Sequence, residues 1–176
     1  MQNDPLGTAA IGGIGGWLGY GYPGLYNAVA IEFDTYFNSI PDVTTADPNG
    51  NHVAIHRSLG TDPIDAVYVG SLVHADPNPG VTLNDGRDHL VSIAYTPGAF
   101  SVSLDGHLLF GGPVELDLAS VLGSNEAYVG FTAGTAATSE SHDIVDWQLQ
   151  PVPEPASLLL VGTGLFSLLA WRRWRG

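Results

Sequence analysis

The chain has 176 residues, a formal net charge of −13 at pH 7 and no cysteine. Residues 1–150 contain 17 of the 18 acidic residues but only two basic ones, Arg57 and Arg87. A surface of this sign is repelled by phosphate backbones, which excludes nucleic acid as a partner. The lack of cysteine excludes a disulfide framework.

Polar side chains recur at every second position of the segment 29–38, where they are Glu32, Asp34, Tyr36 and Asn38. Alternate side chains of a strand point to one face. The pattern therefore predicts a strand with two carboxylates, a phenol and an amide on one side. The intervening residues, from Val29 to Phe37, should face a core.

Asp47 and His52 follow this predicted strand. Two carboxylates as close as those of Glu32 and Asp34 raise each other's pKa unless a cation lies between them, which favours a metal site. Oxygen donors from Asp34, Asn38 and Asp47 suit calcium. Carboxylates together with the His52 imidazole suit a transition ion such as manganese. The alternative is a plain polar face on a half-exposed strand.

The next elements are short strands, because glycine (23) and proline (12) are frequent and turn dipeptides are spread along the chain. Asp105-Gly106 separates the segments 100–104 and 107–110, as in a tight hairpin, and Pro97-Gly98 precedes that unit. Three consecutive antiparallel strands and an all-β fold are predicted. One short helical segment is predicted at 116–122. The histidines His56, His74, His89 and His107 are interpreted as surface imidazoles.

The segment 151–176 differs in composition from the rest of the chain. An apolar run of about sixteen residues would span roughly 24 Å as a helix, which is the short end of a membrane span. A transmembrane helix is therefore predicted, with the arginines behind it in the cytoplasm and the body outside. The flanking motif residues are Pro153, Glu154 and Pro155 before the run and Arg172, Arg173 and Arg175 after it.

The sequence Val-Ala-Ile-Glu-Phe-Asp-Thr-Tyr-Phe-Asn at 29–38, followed by Asp47-Pro48 and His52, resembles the metal-binding segment of the legume-type (L-type) lectins. The glycine-rich stretch 2–20 and the segment 128–147 are similar to further parts of that family. The resemblance implies a jelly-roll (concanavalin-like) sandwich of antiparallel sheets over residues 1–150. It also implies a binding protein whose ions do no chemistry and fix the loop that holds a sugar.

The resemblance also implies ligands for Ca²⁺ and for Mn²⁺ or a similar transition ion. Glu32, Asp34, Asp47 and His52 match the manganese-type ligands of the family. Asp34, Asn38 and Asp47, with the backbone carbonyl of Tyr36, match its calcium ligands.

The sugar-binding residues are implied in the same way. The Asn38 side-chain amide and the backbone amide near Gly16 would donate to sugar hydroxyls. Ala136, Ala137 and Thr138 occupy the loop that sets sugar preference, and their small size predicts a shallow, permissive site. The expected partners are glycans or exopolysaccharide, and a homodimer through the back sheet is left open.

The order of Pro-Glu-Pro, a short span and terminal arginines resembles the PEP-CTERM sorting signal of Gram-negative bacteria. It implies recognition by an exosortase-like enzyme, a transient stay in the inner membrane through the helix, and delivery to the cell surface or extracellular matrix. The segment 151–176 is thus expected to be a sorting and anchor segment. No basic or apolar leader precedes Gln2-Asn3, and the family's Ala-Asp-Gly strand does not either, so we expect an N-terminally truncated domain.

Two alternatives stay open. Some retaining glucanases of jelly-roll architecture use an E-x-D-x-x-E run, of which Glu32 and Asp34 supply the first two acids. Tyr36, Phe37 and Asn38 stand where the last acid would have to be to protonate the leaving oxygen, so an enzyme is not predicted. The other alternative is a surface-matrix protein whose lectin fold no longer binds sugar.

Overall fold

A computed structural model describes residues 1–38, 47–66, 71–136 and 138–150. It divides into two compact units, Met1–His142 and Asp143–Gly176. The described part of the second unit, residues 143–150, contains no helix or strand. The sorting motif and the predicted transmembrane segment lie outside the described residues. Within the residues that are described, no helix has the length and apolar character needed to cross a membrane.

The first sheet carries the polar segment identified in the sequence. Strand β1 spans Val29–Asp34, β2 spans His52–Arg57 and β3 spans Leu72–Asp76, in the order β1-β2-β3 with antiparallel pairing throughout. The register places Glu32 opposite Ala54 and Asp34 opposite His52. The two sequence-distant parts of the polar cluster are therefore neighbours on adjacent strands.

The second sheet contains the predicted hairpin. Its strands are β4 (Val91–Thr96), β5 (Gly98–Leu104), β6 (His107–Leu108) and β7 (Val114–Leu116), and β5 pairs with the other three. Asp105 and Gly106 both have positive φ angles, 50° and 83°, as a two-residue turn between strands of right-handed twist requires. The hairpin and the antiparallel order of these strands are confirmed.

The only α-helix among the described residues is short, as predicted. Helix α1 spans Leu118–Leu122, and the Asp117 side chain caps it by accepting hydrogen bonds from the backbone amides of Ala119 and Ser120. Two 3-10 helices, Gly7–Ala9 and Gly15–Trp17, lie in the glycine-rich N-terminal region.

One core joins the two sheets. β1 and β2 contribute Val29, Val53 and Ile55, while β5 contributes alternate residues such as Phe100 and Leu104. Apolar side chains from both sheets thus exclude water from one shared cluster, and this burial is the main stabilising term. Antiparallel sheets with few helices fit the predicted sandwich.

The prediction that one strand continues to residue 38 was wrong. β1 ends at Asp34, and the chain then bends because the Asp34 carboxylate accepts the backbone N–H of Tyr36, with the oxygen and nitrogen 2.7 Å apart. Phe37 consequently lies 49% exposed rather than in the core. Tyr36 and Asn38 lie in the loop after the strand.

Candidate metal and glycan site

Burial distinguishes the acidic cluster from an ordinary polar strand face. Glu32 is 3% exposed, Asp34 5% and the facing His52 1%. Isolated charged groups are rarely buried this deeply, because leaving water is costly for them unless they are paired or bind a metal. The half-exposed polar face considered from the sequence is therefore wrong.

Four side chains converge at this point. The Nε2 atom of His52 lies 3.1 Å from Oε1 of Glu32 and 3.9 Å from Oδ1 of Asp47. The His52 Nδ1 atom lies 2.8 Å from the Asn49 carbonyl oxygen, which orients the ring. One ligand atom from each of Glu32, Asp34, Asp47 and His52 lies within 4.8 Å of the others.

The cluster is electrostatically strained when no cation is bound. Burial raises the pKa of Asp34 from 3.8 to about 6, and burial also raises the pKa of Asp47. Burial acts to lower the pKa of His52, but its hydrogen bond to Glu32 and the charge of that carboxylate outweigh this effect and raise the pKa above its usual value. Carboxylates crowded in a dry site make a divalent cation favourable there.

The donor set fits such a cation. Among the described residues, no lysine or arginine forms a salt bridge with Glu32, Asp34 or Asp47. Carboxylate oxygens with one imidazole suit a transition ion, and the oxygen donors alone suit calcium. The second imidazole nitrogen of His52 is already engaged by a backbone carbonyl, which is the usual arrangement for a metal-binding histidine.

The loop after β1 is held against the same cluster by hydrogen bonds from its backbone. The Asp34 carboxylate accepts the N–H of Tyr36, and the Asp47 carboxylate accepts the N–H of Asn38, each over 2.7 Å. The Asn38 side chain is half-buried, while that of Tyr36 is exposed. Asp34 and Asp47 therefore each contribute a carboxylate to the cluster and also accept a backbone hydrogen bond from the loop after β1.

The glycine-rich region lies directly against this loop. A Cβ atom on Gly16 would lie 2.7 Å from Nδ2 of Asn38, so only a glycine leaves room for the amide. A Cβ atom on Gly15 would lie 3.2 Å from the Ala136 Cβ. The structure thus brings Gly16, Asn38 and Ala136 together.

The remaining predicted sugar-site residues are less informative. Thr138 is exposed, and Ala137 lies outside the described residues. Glu140, in the same segment, accepts a hydrogen bond from the Thr35 hydroxyl, so the segment after Ala136 is tied to the residue that follows β1.

Sequence reasoning missed two buried neighbours of Glu32. Tyr20 donates its hydroxyl to Oε2 of Glu32, and Nε2 of His56 lies 3.7 Å from the same oxygen. His56 is buried rather than a surface imidazole, and burial lowers its pKa. The sequence could have indicated that His56 lies near the cluster, because His56 follows His52 by four residues and alternate residues of a strand share one face.

Comparison with known proteins gives two family matches and two informative relatives. The legume lectin domain matches residues 24–158 and the PEP-CTERM protein-sorting motif matches residues 151–175. The chain is 30% identical over 155 residues to the probable L-type lectin-domain containing receptor kinase S.7 of Arabidopsis thaliana, covering 85% of this chain and 21% of that protein. It is 29% identical over 148 residues to the L-type lectin-domain containing receptor kinase VII.1 of the same plant, covering 79% and 20%. The chain thus spans about a fifth of the length of these curated relatives. No solved structure gives a significant match.

Proposed function

Because the chain belongs to the legume lectin family and carries a PEP-CTERM sorting motif, we propose that it is a metal-dependent glycan-binding protein of a bacterial cell surface. The observation that carries the proposal is the buried cluster of three carboxylates and one imidazole, held by hydrogen bonds to the loop that presents Asn38. A group of exposed acidic residues would not by itself indicate a metal site, because water can solvate exposed charges.

The ion-binding roles are divided between two overlapping sets of donors. Glu32, Asp34, Asp47 and His52 would hold Mn²⁺ or a similar transition ion. Asp34, Asn38 and Asp47, with the Tyr36 carbonyl, would hold Ca²⁺. The bound ions supply fixed positive charge that neutralises the carboxylates and stiffens the loop.

Glycan recognition would rest on groups beside that loop. The Asn38 side-chain amide would donate to a sugar hydroxyl, as would the backbone amide near Gly16. Ala136, Ala137 and Thr138 would form a wall of small side chains, which leaves the site open to more than one sugar. Oriented donors of this kind fix the position of a polar ligand.

The domain is assigned as a binding module and not as an enzyme. Retaining glycoside hydrolysis needs two carboxyl groups in separate roles, with one of them able to protonate the leaving oxygen. Glu32 is held by Tyr20 on one oxygen and faces His52 with the other, and the third acidic position of the hydrolase pattern is Phe37.

The PEP-CTERM motif implies export to the cell surface and processing by an exosortase. We propose that residues 156–170 cross the inner membrane transiently as a helix and are removed with the arginines behind them. The lectin domain would then reach the cell surface or extracellular matrix, where exopolysaccharide is an available ligand. A homodimer stays a prediction, which light scattering of the purified protein would test.

A glycan array with the full chain tests the proposed function. We expect binding with Ca²⁺ and Mn²⁺ present, and loss of that binding with a chelator. Asn38→Ala should abolish the signal, because losing one hydrogen bond near a charged site costs about 1.5–3 kcal/mol. Asn84→Ala, in an exposed loop, is the matched control. Equal signals from the two variants, or binding that survives the chelator, would contradict the proposal.

A further inference from the structure

A buried phenol connects the ion cluster to the glycine-rich loop, which we define as residues 12–21. The Tyr20 hydroxyl donates to Oε2 of Glu32, while Oε1 of Glu32 faces Nε2 of His52 at 3.1 Å. Both oxygens of the Glu32 carboxylate therefore have a partner. Oε2 is bonded to the glycine-rich loop through Tyr20, and Oε1 lies beside His52, one of the proposed ion ligands.

The backbone of the glycine-rich loop is braced by its own hydrogen bonds. Gly12 donates to the Gly19 carbonyl and Gly19 donates to the Gly13 carbonyl, both over 2.8 Å. The two arms of the loop are in contact, because a Cβ atom on Gly12 would lie 2.3 Å from the Gly21 carbonyl oxygen. These hydrogen bonds and this close approach join the two arms of the loop.

Tyr20 is bonded within this loop to the segment that reaches the sugar-binding residues. Its backbone N–H donates to the Trp17 carbonyl over 3.0 Å. Trp17 ends the 3-10 helix Gly15–Trp17, and Gly16 of that helix lies against the Asn38 amide. A short chain of contacts therefore runs from Glu32 through Tyr20 to Gly16.

We propose that Tyr20 is a positioning residue that couples the transition-ion site to the glycan site through the glycine-rich loop. This inference rests on the proposed function, but it adds a second connection to the direct one from Asp47 to Asn38. An ion that holds Glu32 in place would hold the phenol and, with it, the backbone around Gly16. Partners of metal ligands commonly set both ligand orientation and metal affinity, and coupling between two binding sites is reciprocal.

Hydrogen exchange measured by mass spectrometry on the full chain tests the inference with metal ions alone. Ca²⁺ is kept at saturation and Mn²⁺ is added or withheld. In the parent, Mn²⁺ should slow exchange of the amides of residues 12–21, because most of them donate within the loop. Tyr20→Phe should abolish this Mn²⁺-dependent protection and weaken Mn²⁺ binding about tenfold, while Ca²⁺ affinity should stay within a factor of about two.

The control is Tyr22→Phe, which removes the hydroxyl of an exposed tyrosine next to the loop and should behave as the parent. Tyr20→Phe with parental Mn²⁺ affinity and parental protection would overturn the inference. Exchange in the parent that does not respond to bound Mn²⁺ would also overturn it, even if Tyr20→Phe fails to fold. Mn²⁺-dependent protection without any glycan signal on the array would instead sustain the connection from the ion site to the glycine-rich loop and reject the glycan-binding function.

Discussion

Gly16 lies so close to Asn38 that a Cβ atom on the glycine would be 2.7 Å from the amide nitrogen of the asparagine. The glycine-rich loop therefore meets the loop after β1 at this point, with the Asn38 side chain packed directly on the Gly16 backbone. This contact places the Gly16 backbone beside the side chain that we assign to sugar binding. It also gives the most direct structural test of the glycan site.

The first prediction concerns Gly16→Ala. The added methyl group would lie 2.7 Å from Nδ2 of Asn38, so the amide must shift away from its present position. We expect glycan binding to fall at least tenfold on an array or by calorimetry. Mn²⁺ binding should be retained, because Asn38 is assigned to Ca²⁺ and to the sugar but not to the transition ion. Gly130→Ala is the matched control because a Cβ atom there meets nothing within 4 Å. An equal loss of glycan binding in both variants would show that the effect does not come from the contact between Gly16 and Asn38.

The second prediction concerns Asp34→Asn, which keeps an oxygen to accept the Tyr36 N–H but removes the charge. We expect loss of both ions in metal analysis after reconstitution. In chelator at neutral pH, the variant should be more stable than the parent by on the order of 1 kcal/mol, discounted for solvent screening, because a strained buried charge is gone. Asp88→Asn, at an exposed acid outside the cluster, should change neither property. Retention of both ions by Asp34→Asn would refute the ligand assignment.

The third prediction concerns pH. The folded-state pKa of Asp34 is raised to about 6 from its ordinary value of 3.8. Between these values the ion-free folded chain binds more protons than the unfolded chain, so its stability falls as pH rises. Ion binding needs deprotonated ligands and strengthens over the same range. The difference in melting temperature between ion-loaded and chelated protein should therefore widen from about pH 4 to about pH 7, and a constant difference would contradict the site.

The fourth prediction tests the core that joins the two sheets. Phe100 is fully buried in the shared cluster, so Phe100→Ala should lower the free energy of unfolding by about 3–5 kcal/mol. Phe131→Ala, at a side chain that is 57% exposed, should cost less than about 1 kcal/mol. Urea unfolding of the ion-loaded proteins compares the two. If Phe100→Ala lowers the free energy of unfolding by no more than Phe131→Ala does, Phe100 does not lie in the main core.

The fifth prediction concerns the C-terminal segment. The mature protein from native cells should end near Pro155, because the sorting motif matches residues 151–175. Mass spectrometry of the C-terminal peptide decides this. Glu154→Ala should leave the unprocessed chain in the membrane fraction. Recovery of an intact parental peptide through Trp174 would make the segment a permanent anchor.

Local patterns in the sequence were enough to predict several elements. Alternation along 29–38 predicted a strand, of which β1 is the first part, and the Asp105-Gly106 turn predicted the β5–β6 hairpin. Both depend on backbone geometry within a few residues. The order of donors from Glu32 to His52 also indicated the family that the comparisons establish. These features need no knowledge of distant contacts.

Only the tertiary structure decided what surrounds the cluster. The alternating pattern continues past Asp34, yet the strand ends there because the Asp34 carboxylate bonds the Tyr36 amide and turns the chain. Tyr20 and His56 reach Glu32 from other segments of the chain, and no local spacing reports such packing. Sequence by itself therefore determined which donors are available and in what order. Folding determined that these donors are buried and that no lysine or arginine among the described residues neutralises them. It also joined them through Tyr20 to the glycine-rich loop. Sequence could not show this, because burial and long-range hydrogen bonding depend on how distant segments pack.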